Sequence, residues 1–330
     1  DLHKKDPDFW NKLAAVEWTL PEEWHFDVWM GRKAVEWIEA EKATDDPLFL
    51  HIGFLGPHDL YDTPRRYIDM YDDDSIPMPN VTEEERAGMP DELWAENRRL
   101  ATSFNNDTVI HPERATPERV RRMRKHYYSN VTVIDEQVGA IVESLEEKGL
   151  LENSVLVFTS DHGDNLLDHD LVYKGELYET VMNIPMIIRS SDKSPSGQVV
   201  SQITSHLDMV QYLLEKAGAE REDLNGISLK PVVEQGKPHS RPFIYAEEGA
   251  SGLRPEPDLC AMIRSETAKL IMFIGANTGQ LFDLENDPGE TCNLWGKPES
   301  RELQAELTAG LLNWLYVDLY RHAKRLDPIR

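Results

Sequence analysis

The segment Ser154-Val-Leu-Val-Phe-Thr-Ser160 leaves this chain the least freedom. A strand with one face in water alternates apolar and polar side chains. Four apolar residues in succession instead need cover on both faces, which is the situation of a central strand in a parallel sheet. The segment empties directly into Asp161-His162-Gly163-Asp164. A second core strand over 184–189 is followed by a helix over 206–217. Strand–helix alternation of this kind predicts an α/β fold: a mixed, mostly parallel sheet with helices on both faces.

Other segments fit that frame. Residues 117–148 predict a long helix, with Thr116 as N-cap, Pro117 in the first turn and Gly149 closing it. Val131, Ile134, Val138, Ile141 and Leu145 keep its period. Residues 26–42 read as an amphipathic helix with Val28, Trp29, Val35 and Ile38 on one side. The apolar run 48–54 reads as a buried strand emptying into Gly56-Pro57-His58. Residues 60–116, acidic and dotted with prolines, read as a long excursion with short helices. From about residue 240 the texture changes: short strands over 243–246, 259–264, 269–274 and 280–284 precede a helix near 300–320. This predicts a small antiparallel sheet with a covering helix. The expected division is 1–239, an α/β/α region, and 240–330, an α+β subdomain.

Composition narrows the function. The 330 residues include 35 Lys+Arg against 60 Asp+Glu, a formal charge of −25, which repels nucleic acid and acidic membrane surfaces. The densest basic stretch, Arg119, Arg121, Arg122, Arg124 and Lys125, reads as one solvated helical turn. No apolar run approaches the roughly 18 residues of a membrane span. Two cysteines, Cys260 and Cys292, form no metal-binding pattern and demand no disulfide. Five tryptophans crowd the start (Trp10, Trp18, Trp24, Trp29, Trp37) and read as packing within the α/β layer. Compartment stays open; Asn80, Asn106 and Asn130 begin glycosylation-type tripeptides, Asn130 within the predicted helix.

In open α/β sheets ligands bind beyond the carboxyl ends of the strands. Asp161 and His162 leave one such end, and a carboxylate beside an imidazole is half of a divalent-metal site. His58 follows the predicted strand 48–54 in the same way, and Lys174 comes shortly after in Tyr-Lys-Gly. Singly, these read as a capped turn, a packed loop histidine and a solvated lysine. As a set, in a chain whose surface repels anions, they point to a metal and a cationic pocket at the sheet edge.

At these residues the chain resembles the type I (formylglycine) sulfatases of the alkaline-phosphatase superfamily. The resemblance is carried by Pro47-Leu-Phe-Leu-His-Ile-Gly-Phe-Leu-Gly-Pro-His58, Tyr127-Tyr-Ser-Asn-Val-Thr-Val-Ile-Asp135-Glu-Gln-Val-Gly139 and Val157-Phe-Thr-Ser-Asp161-His-Gly-Asp164. It continues through Leu167-Asp-His-Asp-Leu-Val-Tyr-Lys174-Gly, Ile184-Pro-Met-Ile-Ile-Arg189, His206-Leu-Asp-Met and Leu281-Phe-Asp-Leu-Glu-Asn-Asp-Pro-Gly-Glu-Thr-Cys-Asn-Leu294. Order and spacing match over residues 26 to 295 or so.

The resemblance implies hydrolysis of a sulfate monoester to alcohol and sulfate. It makes Asp161 and His162 metal ligands, the ion being Ca²⁺, with Mn²⁺ as alternative because an imidazole softens the site. It makes Lys174 a sulfate-gripping residue, and His58 both a sulfate contact and the acid for the leaving alcohol. His169, with Asp168 beside it, lies just before Lys174, and a substrate-facing and a structural role stand equal for it. A phosphonate or phosphate ester hydrolase on the same scaffold, and a non-catalytic anion-binding protein, are the alternatives. The family's nucleophile, a formylglycine made from Cys/Ser-x-Pro-x-Arg, is absent: Cys260 begins Cys-Ala-Met-Ile-Arg and Cys292 begins Cys-Asn-Leu-Trp-Gly. In the family that motif, and the remaining metal ligands, precede the matched region. The expectation is therefore a cleaved or truncated longer polypeptide, or a separate N-terminal chain as partner. This chain alone would then be inactive.

Overall fold

The computed structural model of the chain describes residues 8–40, 47–91, 93, 109–190, 197–219, 224–239, 241–249 and 259–325, the side chains after 317 excepted. Two units emerge, the first from residues 1–80, 97–156 and 166–172, the second from 81–96, 157–165 and 173–330.

In the first unit, β1 (Ala15–Trp18) and β2 (Tyr61–Pro64) pair in parallel, Ala15 opposite Tyr61 and Trp18 opposite Pro64. Helices α1 (Phe26–Ala40) and α2 (Pro117–Glu147) pack together. The Thr116 hydroxyl accepts the Arg119 N–H, as its N-cap position predicts. The helices meet where α1 has no side chain: a Cβ on Gly31 would come within 2.6 Å of Gln137 Cβ. Ala34, Ile38 and Ile141 form the core there, joined by Ile52 and Phe54.

That contact decides which side of α1 faces inward. Asp27, Gly31, Ala34 and Ile38, spaced three and four apart, are buried, and Trp29 is 41% exposed. Trp24 and Trp37 are exposed as well, so three of the five early tryptophans do not pack as expected. Residues 48–54 likewise depart from the expected buried strand. Among the described residues they join no ladder; Ile52 and Phe54 turn to the helices, and Phe49 is 84% exposed. The basic stretch of α2 is not a solvated turn throughout. Arg124 is buried, donating to the carbonyls of Leu166 and Pro77 and pairing with Asp168 at 2.6 Å. Asn130 is buried against the Thr63 hydroxyl and presents no glycosylation site.

His126, also on α2, is buried, with Nδ1 donating to the Tyr61 carbonyl at 3.1 Å. Burial holds its pKa down at about 4, against the pull of that carbonyl. A depressed folded pKa means the unfolded chain takes up the proton first as pH falls. The contribution is complete above pH 6.5 and is lost as pH drops through about 4, for up to ~3 kcal/mol. His126→Gln is expected to flatten this acid limb in urea titrations at pH 7 and 4.5; an unchanged slope would assign the limb to other groups.

In the second unit, β3 (Leu156–Thr159) and β4 (Met186–Arg189) form a two-stranded sheet, with helices α3 (Glu179–Met182) and α4 (His206–Lys216) nearby in sequence. No β3 residue is fully buried and Ile187 of β4 is 61% exposed. The double-sided cover that the apolar run predicts is not supplied among the described residues. The C-terminal prediction fares better. Strands β5 (Ile244–Gly249), β6 (Leu259–Arg264), β7 (Ala268–Ile274) and β8 (Thr278–Asp283) make one antiparallel sheet in sequence order. Helix α5 (Arg301–Arg325) lays Leu307 and Leu311, one turn apart, on Ala261, Ile263, Leu270 and Leu281. Trp314 stacks on Tyr245 at 4.8 Å between ring centres.

The other face of this sheet carries charge. Lys269 is wholly buried, its ammonium 2.8 Å from Glu290 and 3.1 Å from Glu179, while Arg264 grips Glu179 through Nε and Nη2. Burial raises the Glu290 pKa against the pull of Lys269. For Glu179 burial pushes upward too, but Lys269 and Arg264 prevail and hold it below the ordinary carboxylate value. Among the described residues no helix is long and apolar enough to cross a membrane.

Candidate functional site

At the end of β3 the chain turns sharply, and glycine is what permits it: a Cβ on Gly163 would lie 2.0 Å from the Thr180 carbonyl oxygen. The Gly163 N–H donates to the Val181 carbonyl, tying the turn to α3. Asp161 and His162 project from this turn. Asp161 Oδ1 accepts the His162 N–H at 2.9 Å, which leaves Oδ2 3.3 Å from His162 Nε2. His162 Nδ1 donates to the Gly163 carbonyl at 2.8 Å, so the proton sits there and Nε2 is the acceptor. Lys174 Nζ donates to that Nε2 at 2.7 Å.

These three side chains therefore converge. A carboxylate oxygen and an imidazole nitrogen about 3 Å apart suit two adjacent positions around one divalent ion, whose bonds to such donors run about 2.0–2.6 Å. The Lys174 ammonium already stands on the same nitrogen as a cation would. Burial pushes the Asp161 pKa up, but the His162 N–H and the nearby Lys174 charge help to outweigh it and hold the carboxylate below its ordinary value. Asp161 is thus a carboxylate anion near neutral pH. Among the described residues no group of three or more His, Cys, Asp or Glu side chains is arranged so that it could hold one ion.

His58 and His169 belong to the first unit. His58 is half exposed, and its Nδ1 lies 2.8 Å from the Asp59 carbonyl. The turn before it is held by Asp27, a buried carboxylate at the start of α1 that accepts the N–H groups of Leu55 and Gly56. Nothing in the local sequence pairs Asp27 with a loop about 28 residues on, so sequence reasoning missed it. His169 is only 6% exposed and sits in a turn where Leu166, Leu167 and Asp170 also have left-handed φ values. Such backbone is costly for non-glycine residues and is held by its surroundings. Of the two roles left open for His169, burial favours the structural one. Its neighbour Asp168 is taken by Arg124.

Known proteins share the family and fold of this chain. A family model described as Sulfatase matches residues 6–219, and one described as N-sulphoglucosamine sulphohydrolase, C-terminal, matches residues 168–315. An arylsulfatase of Clostridium perfringens is 30% identical over 296 residues, covering 88% of this chain and 58% of that protein. The chain thus spans little more than half the length of this curated relative. A phosphonate monoester hydrolase of Agrobacterium radiobacter superposes with a TM-score of 0.74 at 23% identity, over 94% of this chain and 63% of that one. A structure described as in complex with its substrate D-glucosamine-2-N,6-O-disulfate superposes with a TM-score of 0.72 at 21% identity, over 92% of this chain and 71% of that one. The shared fold is the α/β architecture of the alkaline-phosphatase superfamily.

Proposed function

Since this chain belongs to the sulfatase family of the alkaline-phosphatase superfamily, we propose that it carries the metal-side and substrate-side portion of an enzyme that cleaves a sulfate monoester to alcohol and sulfate. The observation that carries the reading is the convergence of Asp161, His162 and Lys174 at the end of β3, in a chain of formal charge −25. Without a metal and a dedicated cation, a tetrahedral anion would be repelled from such a protein.

Asp161 and His162 would hold the divalent ion, Ca²⁺ in the first instance and Mn²⁺ as the alternative the imidazole favours. When bound, that ion supplies charge stabilisation at the sulfuryl oxygens. Lys174 would donate to another of those oxygens, and its flexible stem lets it leave His162 for the substrate. His58 would hydrogen-bond the sulfate and hand a proton to the departing alkoxide. His169, buried in the turn before Lys174, would support the Lys174 loop from behind and not touch the substrate. The 1–239 and 240–330 division is kept as a proposed boundary. The formylglycine, for which these 330 residues hold no motif, would have to be supplied by residues outside them.

The test joins composition to turnover. Purified material is taken for denaturing intact mass and N-terminal sequencing, then assayed on aryl sulfate, phosphate and phosphonate esters. A second segment bearing Cys/Ser-x-Pro-x-Arg with its converted side chain, and turnover of the sulfate, is the expected result. Preference for the phosphonate would favour the second reading, which the Agrobacterium structural neighbour motivates. A single 37.9 kDa species that turns over none of the esters would leave only a non-catalytic anion-binding role.

A further inference from the structure

Asn165 is completely buried three residues beyond His162, and both ends of its side-chain amide are hydrogen-bonded. Its Nδ2 donates to Glu176 Oε2 at 2.9 Å, and its Oδ1 accepts the Thr180 hydroxyl at 2.6 Å. Its backbone N–H donates to the Tyr173 carbonyl at 2.9 Å. Glu176 is itself buried, two residues past Lys174. One side chain thus ties together three segments of the second unit: the turn bearing Asp161 and His162, the loop bearing Lys174, and helix α3. With the Gly163 bond to Val181, both loops are pinned to the same short helix.

The geometry points to Asn165 as a positioning residue, with Glu176 and Thr180 as its anchors, that sets the distance between the Asp161–His162 pair and Lys174. The inference rests on the reading of those three residues as metal-side and sulfate-side groups. A buried polar hub suits this task because its bonds are directional, whereas an apolar contact would let the loops slide. Partners of this kind, one shell behind the ligands, typically govern metal affinity by about 10–100-fold.

The experiment compares Asn165→Ala, Glu176→Ala and Glu176→Gln with the unaltered 330-residue chain. Glutamine keeps an oxygen to accept from Asn165 Nδ2, so it is the conservative rescue. Two readouts are taken: hydrogen exchange at the Gly163 and Asn165 amides against reference amides of Ala261 and Leu270, and Mn²⁺ broadening of the His162 ring signals by NMR. The two alanine variants are expected to speed exchange at 163 and 165 about tenfold more than at the reference amides. They should also raise the Mn²⁺ midpoint by about tenfold or more, with Glu176→Gln close to the unaltered chain. Equal acceleration everywhere would make the hub a stability element only and overturn the inference. So would an unmoved Mn²⁺ midpoint in a loosened loop, or a glutamine variant as defective as alanine. If Mn²⁺ leaves His162 untouched in the unaltered chain, the metal reading itself fails and the positioning role falls with it; that outcome is distinguishable because no variant is involved.

Discussion

Lys269→Met is expected to destabilise the second unit by about 3–5 kcal/mol, the range for removing one partner of a buried ion pair. The wholly buried ammonium is shared between Glu179 and Glu290. Methionine fills the space of the stem but offers nothing to either carboxylate. Glu179 retains Arg264, whereas Glu290 loses its cation and stays nearly inaccessible to water. Much of the loss should therefore trace to Glu290, and adding Glu290→Gln to Lys269→Met should recover part of it. Urea unfolding of the single and double variants measures the coupling directly. A loss below about 1 kcal/mol for Lys269→Met would mean that water or a neighbouring group reaches Glu290, and the closed network described above would be wrong.

The second large effect concerns His58. In an assembly that contains its nucleophile segment, His58→Ala should lower turnover of alkyl sulfates by about 10²–10⁴, the usual worth of general acid catalysis. Turnover of 4-nitrophenyl sulfate should fall far less, since its phenolate leaves without help. Lys174→Ala should behave differently, costing about 10²–10³ with either substrate because it acts on the sulfuryl oxygens and not on the leaving group. The contrast between the two variants is the decisive quantity. Equal losses for both esters with His58→Ala would remove its role as the acid and leave it a binding contact.

Some of this molecule is legible in local pattern. The strands β6 to β8 and the helix that covers them follow from short-range periodicity and turn residues, because each element there packs on its sequence neighbours. Helix α2 begins where Thr116 and Pro117 place it and ends before Gly149, since capping is decided within one turn of chain. Of the residues proposed for the site, Asp161 and His162 stand out because a carboxylate and an imidazole directly follow an apolar strand, whereas Lys174 comes twelve residues after His162 and is brought to it by the fold.

Other features depend on surfaces that meet only after folding. Sequence period says that α1 has an apolar side, yet it cannot rank Trp29 against Gly31. The close approach of α2 at Gln137 selects glycine and sends the tryptophan outward. Arg124 reads as one solvated charge among five until carbonyls from residues 77 and 166, and Asp168, gather around it. The bond from Asp27 to the turn before His58 and the bond from Asn165 to Glu176 also have no local signature. What the sequence alone determined is therefore the kind and order of the chemical groups, and the elements that carry them, since both are set by covalent neighbours. What only the tertiary structure decided is which of those groups are buried, paired and aimed, because the cost of an unpartnered polar group is settled by residues far away in the chain.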